Sequence, residues 1–123
     1  MKKKILIVDD QKICAIALQQ LLQKNYDTTM VHSGEEAVEA AKASCFDLVL
    51  LDISMPGLDG FQTKDQLRLL KLHLLIIAVT ARNDHTDQTY WQQQGFDGYL
   101  YKGLSGQAML QFIEARLTNP SKN

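Results

Sequence analysis

Short apolar runs along the chain alternate with longer segments in which apolar residues recur at helical spacing. Four apolar runs and one more polar run, which is typical of a sheet edge, predict five strands, at residues 4–8, 27–31, 46–51, 74–79 and 99–101. A helical segment follows each strand. This alternation favours a single α/β domain built from five βα units around a parallel sheet.

The predicted helices carry boundary signals of their own. Ser33 and Glu36 match a capping box, Ser105 can cap the last helix, and Gly95 suits a left-handed end to the fourth helix, predicted at residues 84–94. Helical spacing also predicts the side chains that face the sheet. They are Cys14, Ala17, Leu18, Leu21 and Leu22 in the first helix, Ala37, Ala40 and Ala41 in the second, Leu67 and Leu70 in the third, and Met109, Phe112, Ile113 and Leu117 in the last.

Composition and charge narrow the class of protein. The chain has 123 residues and a formal charge of −1, which fits one domain and gives no basic excess for direct binding to nucleic acid. We expect one domain at residues 1–118 and a polar tail at 119–123; Met1 favours an N-terminal start, and the alternative is a chain cut from a longer protein. No apolar run approaches the roughly twenty residues that cross a bilayer, so no membrane contact is expected. Cys14 and Cys45 are interpreted as reduced thiols, in keeping with a cytoplasmic location.

Polar side chains stand where the predicted strands end. Asp9 and Asp10 follow the first strand, Asp52 the third, Thr80 the fourth and Lys102 the fifth. The carboxyl ends of parallel strands share one edge of an α/β sheet, where ligands bind beside the point at which strand order reverses. Each residue alone would be taken as a cap or a surface charge. Five together predict one site.

Three carboxylates in one site need a cation, because they otherwise repel one another. Mg²⁺ prefers oxygen ligands, and Mn²⁺ can substitute, whereas Zn²⁺ would want His or Cys ligands. The chain's histidines, His32, His73 and His85, join no such cluster in the sequence and are given no role.

A carboxylate beside such a metal can act as a nucleophile toward a phosphoryl group. Asp52 is the best candidate for this acceptor. Lys102 can neutralise charge on the transferring group, and the Thr80 hydroxyl can hydrogen-bond to it once it has arrived.

These features together resemble the response-regulator receiver family over residues 4 to 117. The resemblance is carried by IVDD at 7–10, DLVLLDISMPGLDG at 47–60, VTA at 79–81 and YLYK at 99–102. It implies a doubly wound, flavodoxin-like sheet of strand order 2-1-3-4-5. It also implies a signalling protein of a two-component phosphorelay that catalyses its own phosphorylation and dephosphorylation.

The resemblance further assigns roles to single residues. Asp10 would bind the metal directly, Asp9 mainly through water, and Ser54 through its backbone carbonyl. Thr80 and Tyr99 would form the switch, and Ser54 and Arg82 would tune the lifetime of the phosphoryl group.

The partners that the family implies are a histidine kinase or histidine phosphotransfer protein and a downstream protein target that the sequence does not identify. The surface formed by helix four, strand five and helix five would change on phosphorylation and could support a homodimer.

Two positions depart from the family pattern. Gly103 replaces the usual proline after the lysine, so we predict a trans or more mobile Lys102–Gly103 bond. Tyr90 and Trp91 stand among glutamines in helix four. Either part of this pair meets a partner, or both rings pack on the sheet.

Three other functions use a similar sheet. A flavodoxin-like electron carrier would want a phosphate-cradling loop in place of Asp9 and Asp10. A phosphatase of the haloacid-dehalogenase type would want a second acid at Ser54. A receiver-shaped interaction module that is never phosphorylated draws modest support from Gly103.

Overall fold

The computed structural model of the chain describes residues 2–53, 60–71, 73–81 and 88–118. Strands and helices alternate throughout these residues, as the hydrophobic pattern predicts. The order is β1 (Lys4–Val8), α1 (Lys12–Leu22), β2 (Asp27–Val31), α2 (Gly34–Ala43), β3 (Leu48–Asp52), α3 (Gly60–Leu70), β4 (Leu75–Thr80), α4 (Gln88–Gln93), β5 (Gly98–Tyr101) and α5 (Gly106–Thr118).

The five strands form one parallel sheet in the order β2-β1-β3-β4-β5, which confirms the predicted fold class and places the polar β2 at an edge. Alternate residues of each central strand enter two different cores. Leu48 and Leu50 of β3 pack with α1 and α5, whereas Val49 and Leu51 pack with α2, α3 and α4. Because both faces are covered, β1 and β3 are apolar at nearly every position.

Several predicted boundaries and faces shift by a residue or two. β3 begins at Leu48 rather than at residue 46 and includes Asp52 as its last residue. In α1 the buried alanine is Ala15, and Ala17 is exposed. The prediction that Leu70 points inward was wrong, since 40% of it is exposed while Leu67 is fully buried. Helical periodicity predicts which side of a helix faces the core, but it does not predict how far along the helix the neighbouring elements cover that side.

The helix-end signals correspond to real contacts. Ser33 Oγ accepts a hydrogen bond from the Glu36 amide at 3.1 Å, and Ser105 Oγ accepts one from the Ala108 amide at 3.2 Å. Gly95 has a φ of +96°, the left-handed conformation predicted for the end of α4. The predicted start of α4 at residue 84 and the tail at 119–123 lie outside the described residues.

Of the two aromatic residues in α4, Trp91 is packed against the sheet. Trp91 is 4% exposed, with its ring centroid 5.8 Å from that of Tyr99 and 6.1 Å from that of Phe61. Tyr90 is half-buried, and its ring stands perpendicular to that of Trp91 with 5.1 Å between the ring centroids. Trp91 therefore packs on the sheet, and the hypothesis that part of the pair meets a partner stays a prediction for Tyr90 only. Among the residues that the structure describes, no helix has the length and apolar character needed to cross a bilayer.

Candidate functional site

The carboxyl ends of β1 and β3 bring three acidic side chains together at the point where strand order reverses. Carboxylate oxygens of Asp9, Asp10 and Asp52 all lie within 4.8 Å of one another. Asp9 and Asp52 are 1% and 4% exposed, whereas Asp10 is open to solvent. The predicted acidic cluster is therefore present, with two buried members and one accessible member.

Lys102 lies at the end of β5, and its side chain reaches the acidic cluster. Its Nζ is 3.0 Å from Asp9 Oδ2 and 3.5 Å from Asp52 Oδ2, and 18% of the side chain is exposed. Burial would lower the pKa of Lys102, but the nearby carboxylates of Asp9 and Asp52 outweigh burial and raise the pKa. The ammonium therefore remains charged at any physiological pH.

Thr80 completes the group at the end of β4. It is 3% exposed, and its carbonyl accepts a hydrogen bond from the Lys102 amide at 2.8 Å. Thr80 pairs in register with Tyr101, and the neighbouring pair is Val79 with Leu100. The main chains that carry Thr80 and Lys102 are thus directly connected by a hydrogen bond.

Tyr99 is already buried in this structure, at 8% exposure, and stacks on Trp91 with an interplanar angle of 27°. Its main chain is held from the side as well. The Gln88 amide group accepts from Tyr99 N at 2.9 Å and donates to Tyr99 O at 3.2 Å. This pair of bonds fastens the start of α4 to the outer edge of β5.

The peptide bond between Lys102 and Gly103 is trans, as predicted from the glycine. The ring of Tyr101 lies over Gly103 so closely that an added Cβ would collide with it, at 2.5 Å from Cζ. Glycine at this position therefore gives Tyr101 the room to fold back over the loop between β5 and α5.

His32 lies next to the acidic cluster, although no motif in the sequence placed it there. Its Nδ1 is 3.0 Å from the carbonyl oxygen of Asp9, across the loop between β2 and α2. Because every residue type has a main-chain carbonyl, a contact of this kind leaves no motif in the sequence. The only available signal was the position of His32 directly after an edge strand, beside β1.

Two residues predicted for the site, Ser54 and Arg82, lie outside the described residues. Their predicted roles, a backbone ligand to the metal and the tuning of phosphoryl lifetime, stay predictions.

The arrangement fits a metal ion. Asp9 Oδ2 is buried, and its partner among the described residues is the Lys102 ammonium at 3.0 Å. One ammonium cannot balance three neighbouring carboxylates, so the cluster keeps an excess of negative charge that a divalent cation would offset. Asp9, Asp10 and Asp52 are the residues that could hold this ion.

The comparison with known families agrees with this fold and site. The family model for the response regulator receiver domain matches residues 5–114. The chain therefore belongs to the response regulator receiver domain family, and it is a signalling domain of the two-component type.

Individual relatives and solved structures support the same assignment. The alkaline phosphatase synthesis transcriptional regulatory protein PhoP of Bacillus subtilis is 36% identical over 118 residues, covering 95% of this chain and 49% of that protein. The nitrate/nitrite response regulator protein NarL of Escherichia coli is 34% identical, with 89% and 52% covered. The chain thus spans about half the length of these curated relatives.

Among solved structures, the N-terminal domain of a response regulator/sensory box/GGDEF protein from Carboxydothermus hydrogenoformans is 30% identical. Its TM-score is 0.82, and 94% of each chain is covered. A CheY-like receiver domain protein from Methanospirillum hungatei has a TM-score of 0.87 at 24% identity, covering 97% of this chain and 96% of that one, and so supports the fold.

Proposed function

We propose that Asp52 is the phosphoryl acceptor of this receiver domain, in a Mg²⁺ site formed with Asp9 and Asp10. The observation that carries the proposal is the convergence of three carboxylates and the Lys102 ammonium at one edge of the sheet. Asp52 is central in this group. It ends the middle strand, between β1 with its two aspartates and β4 with Thr80.

The chemical step transfers a phosphoryl group from a phosphorylated histidine, or from a small phosphodonor, to Asp52. One carboxylate oxygen of Asp52 forms the new bond to phosphorus as the bond to the donor's nitrogen or oxygen breaks, and the leaving group keeps that electron pair and takes up a proton. When bound, Mg²⁺ supplies positive charge that stabilises the phosphoryl oxygens. Lys102 exchanges its contact with Asp52 for one with a phosphoryl oxygen.

The same site would remove the phosphoryl group by admitting water, which makes the domain a catalyst of its own dephosphorylation. In this proposal Ser54 contributes a backbone oxygen to the metal, and Ser54 and Arg82 set how readily water reaches the phosphorus. Mn²⁺ would support the same chemistry, because it shares the oxygen preference of Mg²⁺.

Phosphorylation would be transmitted through β4 and β5. Thr80 moves toward the new phosphoryl oxygens, and the shift passes to β5 through the hydrogen bond from the Lys102 amide. Tyr99 then secures the altered arrangement beside α4, since its ring already occupies the inner position against Trp91. The face formed by α4, β5 and α5 is where a downstream protein, or a second copy of the chain, would respond.

The donor in this proposal is a histidine kinase or a histidine phosphotransfer protein. The two curated relatives are named as transcriptional and response regulators, and a comparable output would require a domain or partner protein other than this receiver domain. Both cysteines are free, in keeping with the reducing cytoplasm in which such donors act. No observation favours a flavin carrier, a phosphatase or an unphosphorylated module.

Beryllofluoride, a mimic of the phosphoryl group, gives a direct test. With Mg²⁺ present, it should change the emission of Trp91, whose ring contacts Tyr99, and shift the amide resonances of residues 78–81 and 98–103. Asp52→Asn should abolish both changes, while Asp65→Asn, which alters an exposed aspartate of α3, should leave them intact. An unchanged response in Asp52→Asn would refute the assignment of the acceptor.

A further inference from the structure

The acidic cluster depends on where the main chain goes after β1 ends. Asp9 is the last residue held by the ladder to β2, through its amide hydrogen bond to the Val31 carbonyl at 3.2 Å. Asp10 follows in a bend, with its carboxylate exposed. The bend is held on one side by the Gln11 amide, which donates to Asp9 Oδ1 at 2.9 Å, and a contact to the Asp9 carbonyl would complete the support beneath the Asp10 ligand.

The His32 imidazole makes such a contact. Its Nδ1 is 3.0 Å from the Asp9 carbonyl oxygen. A carbonyl oxygen only accepts hydrogen bonds, so Nδ1 must carry the proton and donate. The carbonyl of Asp9 and the amide of Asp10 belong to one planar peptide group. Orienting this carbonyl therefore also orients the start of Asp10.

His32 is itself held firmly enough to do this. Its backbone amide donates to Glu36 Oε1 at 2.7 Å, and Ser33 Oγ accepts from the Glu36 amide at 3.1 Å. In a standard capping box the glutamate would bond to the amide of Ser33. Here it reaches one residue further back, to the His32 amide, and so ties the backbone that carries the imidazole to the first turn of α2.

On these grounds we propose that His32 is a positioning residue of the metal site. It acts through the Asp9 carbonyl to hold the Asp9–Asp10 peptide in the orientation that places the Asp10 carboxylate beside those of Asp9 and Asp52. The role rests on the proposed function, because it concerns the affinity of that site for Mg²⁺. Outer partners of metal ligands typically change metal affinity by 10–100-fold. Since His32 acts through the backbone, we expect a loss of about tenfold, at the low end of that range.

The test is a calorimetric titration of the full chain with Mg²⁺, without phosphodonor. His32→Ala should bind Mg²⁺ about tenfold more weakly than wild type. His32→Asn should bind nearly as well as wild type, because its amide nitrogen takes the place of Nδ1. His32→Gln, whose amide reaches the place of Nε2 instead, should behave like His32→Ala. The control His73→Ala changes an exposed histidine and should bind like wild type.

The pair His32→Asn and His32→Gln keeps the test decisive even if His32→Ala folds poorly. Equal Mg²⁺ affinity in these two variants would overturn the positioning role and leave His32 as a loop contact only. Absence of Mg²⁺ binding by wild type would overturn the metal site itself and, with it, this role. Nitrogen NMR gives an independent readout, since the His32 ring should carry a proton on Nδ1. A ring protonated on Nε2 alone would contradict the hydrogen bond.

Discussion

Replacing Lys102 with methionine removes a positive charge from the acidic site while keeping most of the side chain's length. In wild type the ammonium lies 3.0 Å from Asp9 and 3.5 Å from Asp52. At such separations each attraction amounts to about 5 kcal/mol before desolvation, for an effective dielectric constant of about 20. Breaking a buried pair by removing one partner costs about 3–5 kcal/mol. Because 18% of the Lys102 side chain is exposed, we expect a loss of about 2–3 kcal/mol in the free energy of unfolding without metal.

The same substitution that lowers stability should raise the affinity for Mg²⁺. Lys102 repels a cation that approaches the carboxylates, so Lys102→Met should bind Mg²⁺ more tightly than wild type. A ligand that binds only the folded state adds stability according to its concentration relative to Kd. Saturating Mg²⁺ should therefore recover much of the lost stability, although phosphorylation should be severely impaired.

Urea unfolding with and without Mg²⁺, together with a Mg²⁺ titration, measures both effects. Lys64→Met is a matched control, because Lys64 is also mostly covered, at 12% exposure, and pairs at 2.6 Å with Asp65. The Asp65 side chain is 69% exposed, so this variant should lose about 1 kcal/mol or less and show no dependence on Mg²⁺. If Lys102→Met has wild-type stability and wild-type affinity for Mg²⁺, the electrostatic account of the site is wrong.

Three further predictions concern the surroundings of the site. Gly103→Ala should displace the Tyr101 ring at a cost of about 1 kcal/mol or less, because the colliding atoms are the outer end of a half-buried side chain, and Tyr101 should be more exposed in tyrosine absorbance; unchanged absorbance would contradict the close packing. Arg68→Met should cost about 2 kcal/mol in urea unfolding without altering Mg²⁺ affinity, because it removes a partly exposed ion pair to Asp97 at 3.0 Å and hydrogen bonds to the carbonyls of Leu74 and Gly95; a changed Mg²⁺ affinity would contradict a purely structural role. Because the pKa of Lys102 is raised on folding, its stabilising contribution should be complete below the ordinary value of 10.5 and disappear only as pH rises through the higher folded value. The test is the difference in free energy of unfolding between wild type and Lys102→Met, measured from neutral pH upward. A difference that already shrinks near pH 8 would contradict the raised pKa.

The fold was predictable because buried parallel strands leave a strong signal. The apolar runs of β1 and β3 are covered on both faces, so few positions tolerate polar side chains. Strand ends were equally informative, since Asp52 and Lys102 interrupt apolar runs at the sheet edge. The exposure of Leu70 could not be predicted in the same way, because it depends on which neighbouring helix extends far enough to cover it.

Within the site, the missed feature was a contact between a side chain and the main chain. His32 pairs with the Asp9 carbonyl, and any residue type supplies that carbonyl. The closer approach of Lys102 to Asp9 than to Asp52 was also unpredictable, because it depends on distances across three strands. Sequence patterns identify which residues lie at the carboxyl edge of the sheet. Which of these residues contact one another depends on how the strands and loops pack.

The central claim is that Asp52 accepts a phosphoryl group. Incubation of the intact chain with a small phosphodonor and Mg²⁺, followed by intact mass and peptide mapping, tests it most directly. We expect one added phosphoryl group, located on Asp52, that requires Mg²⁺ and is absent in Asp52→Asn. Modification at another residue, or equal modification of Asp52→Asn, would contradict the account.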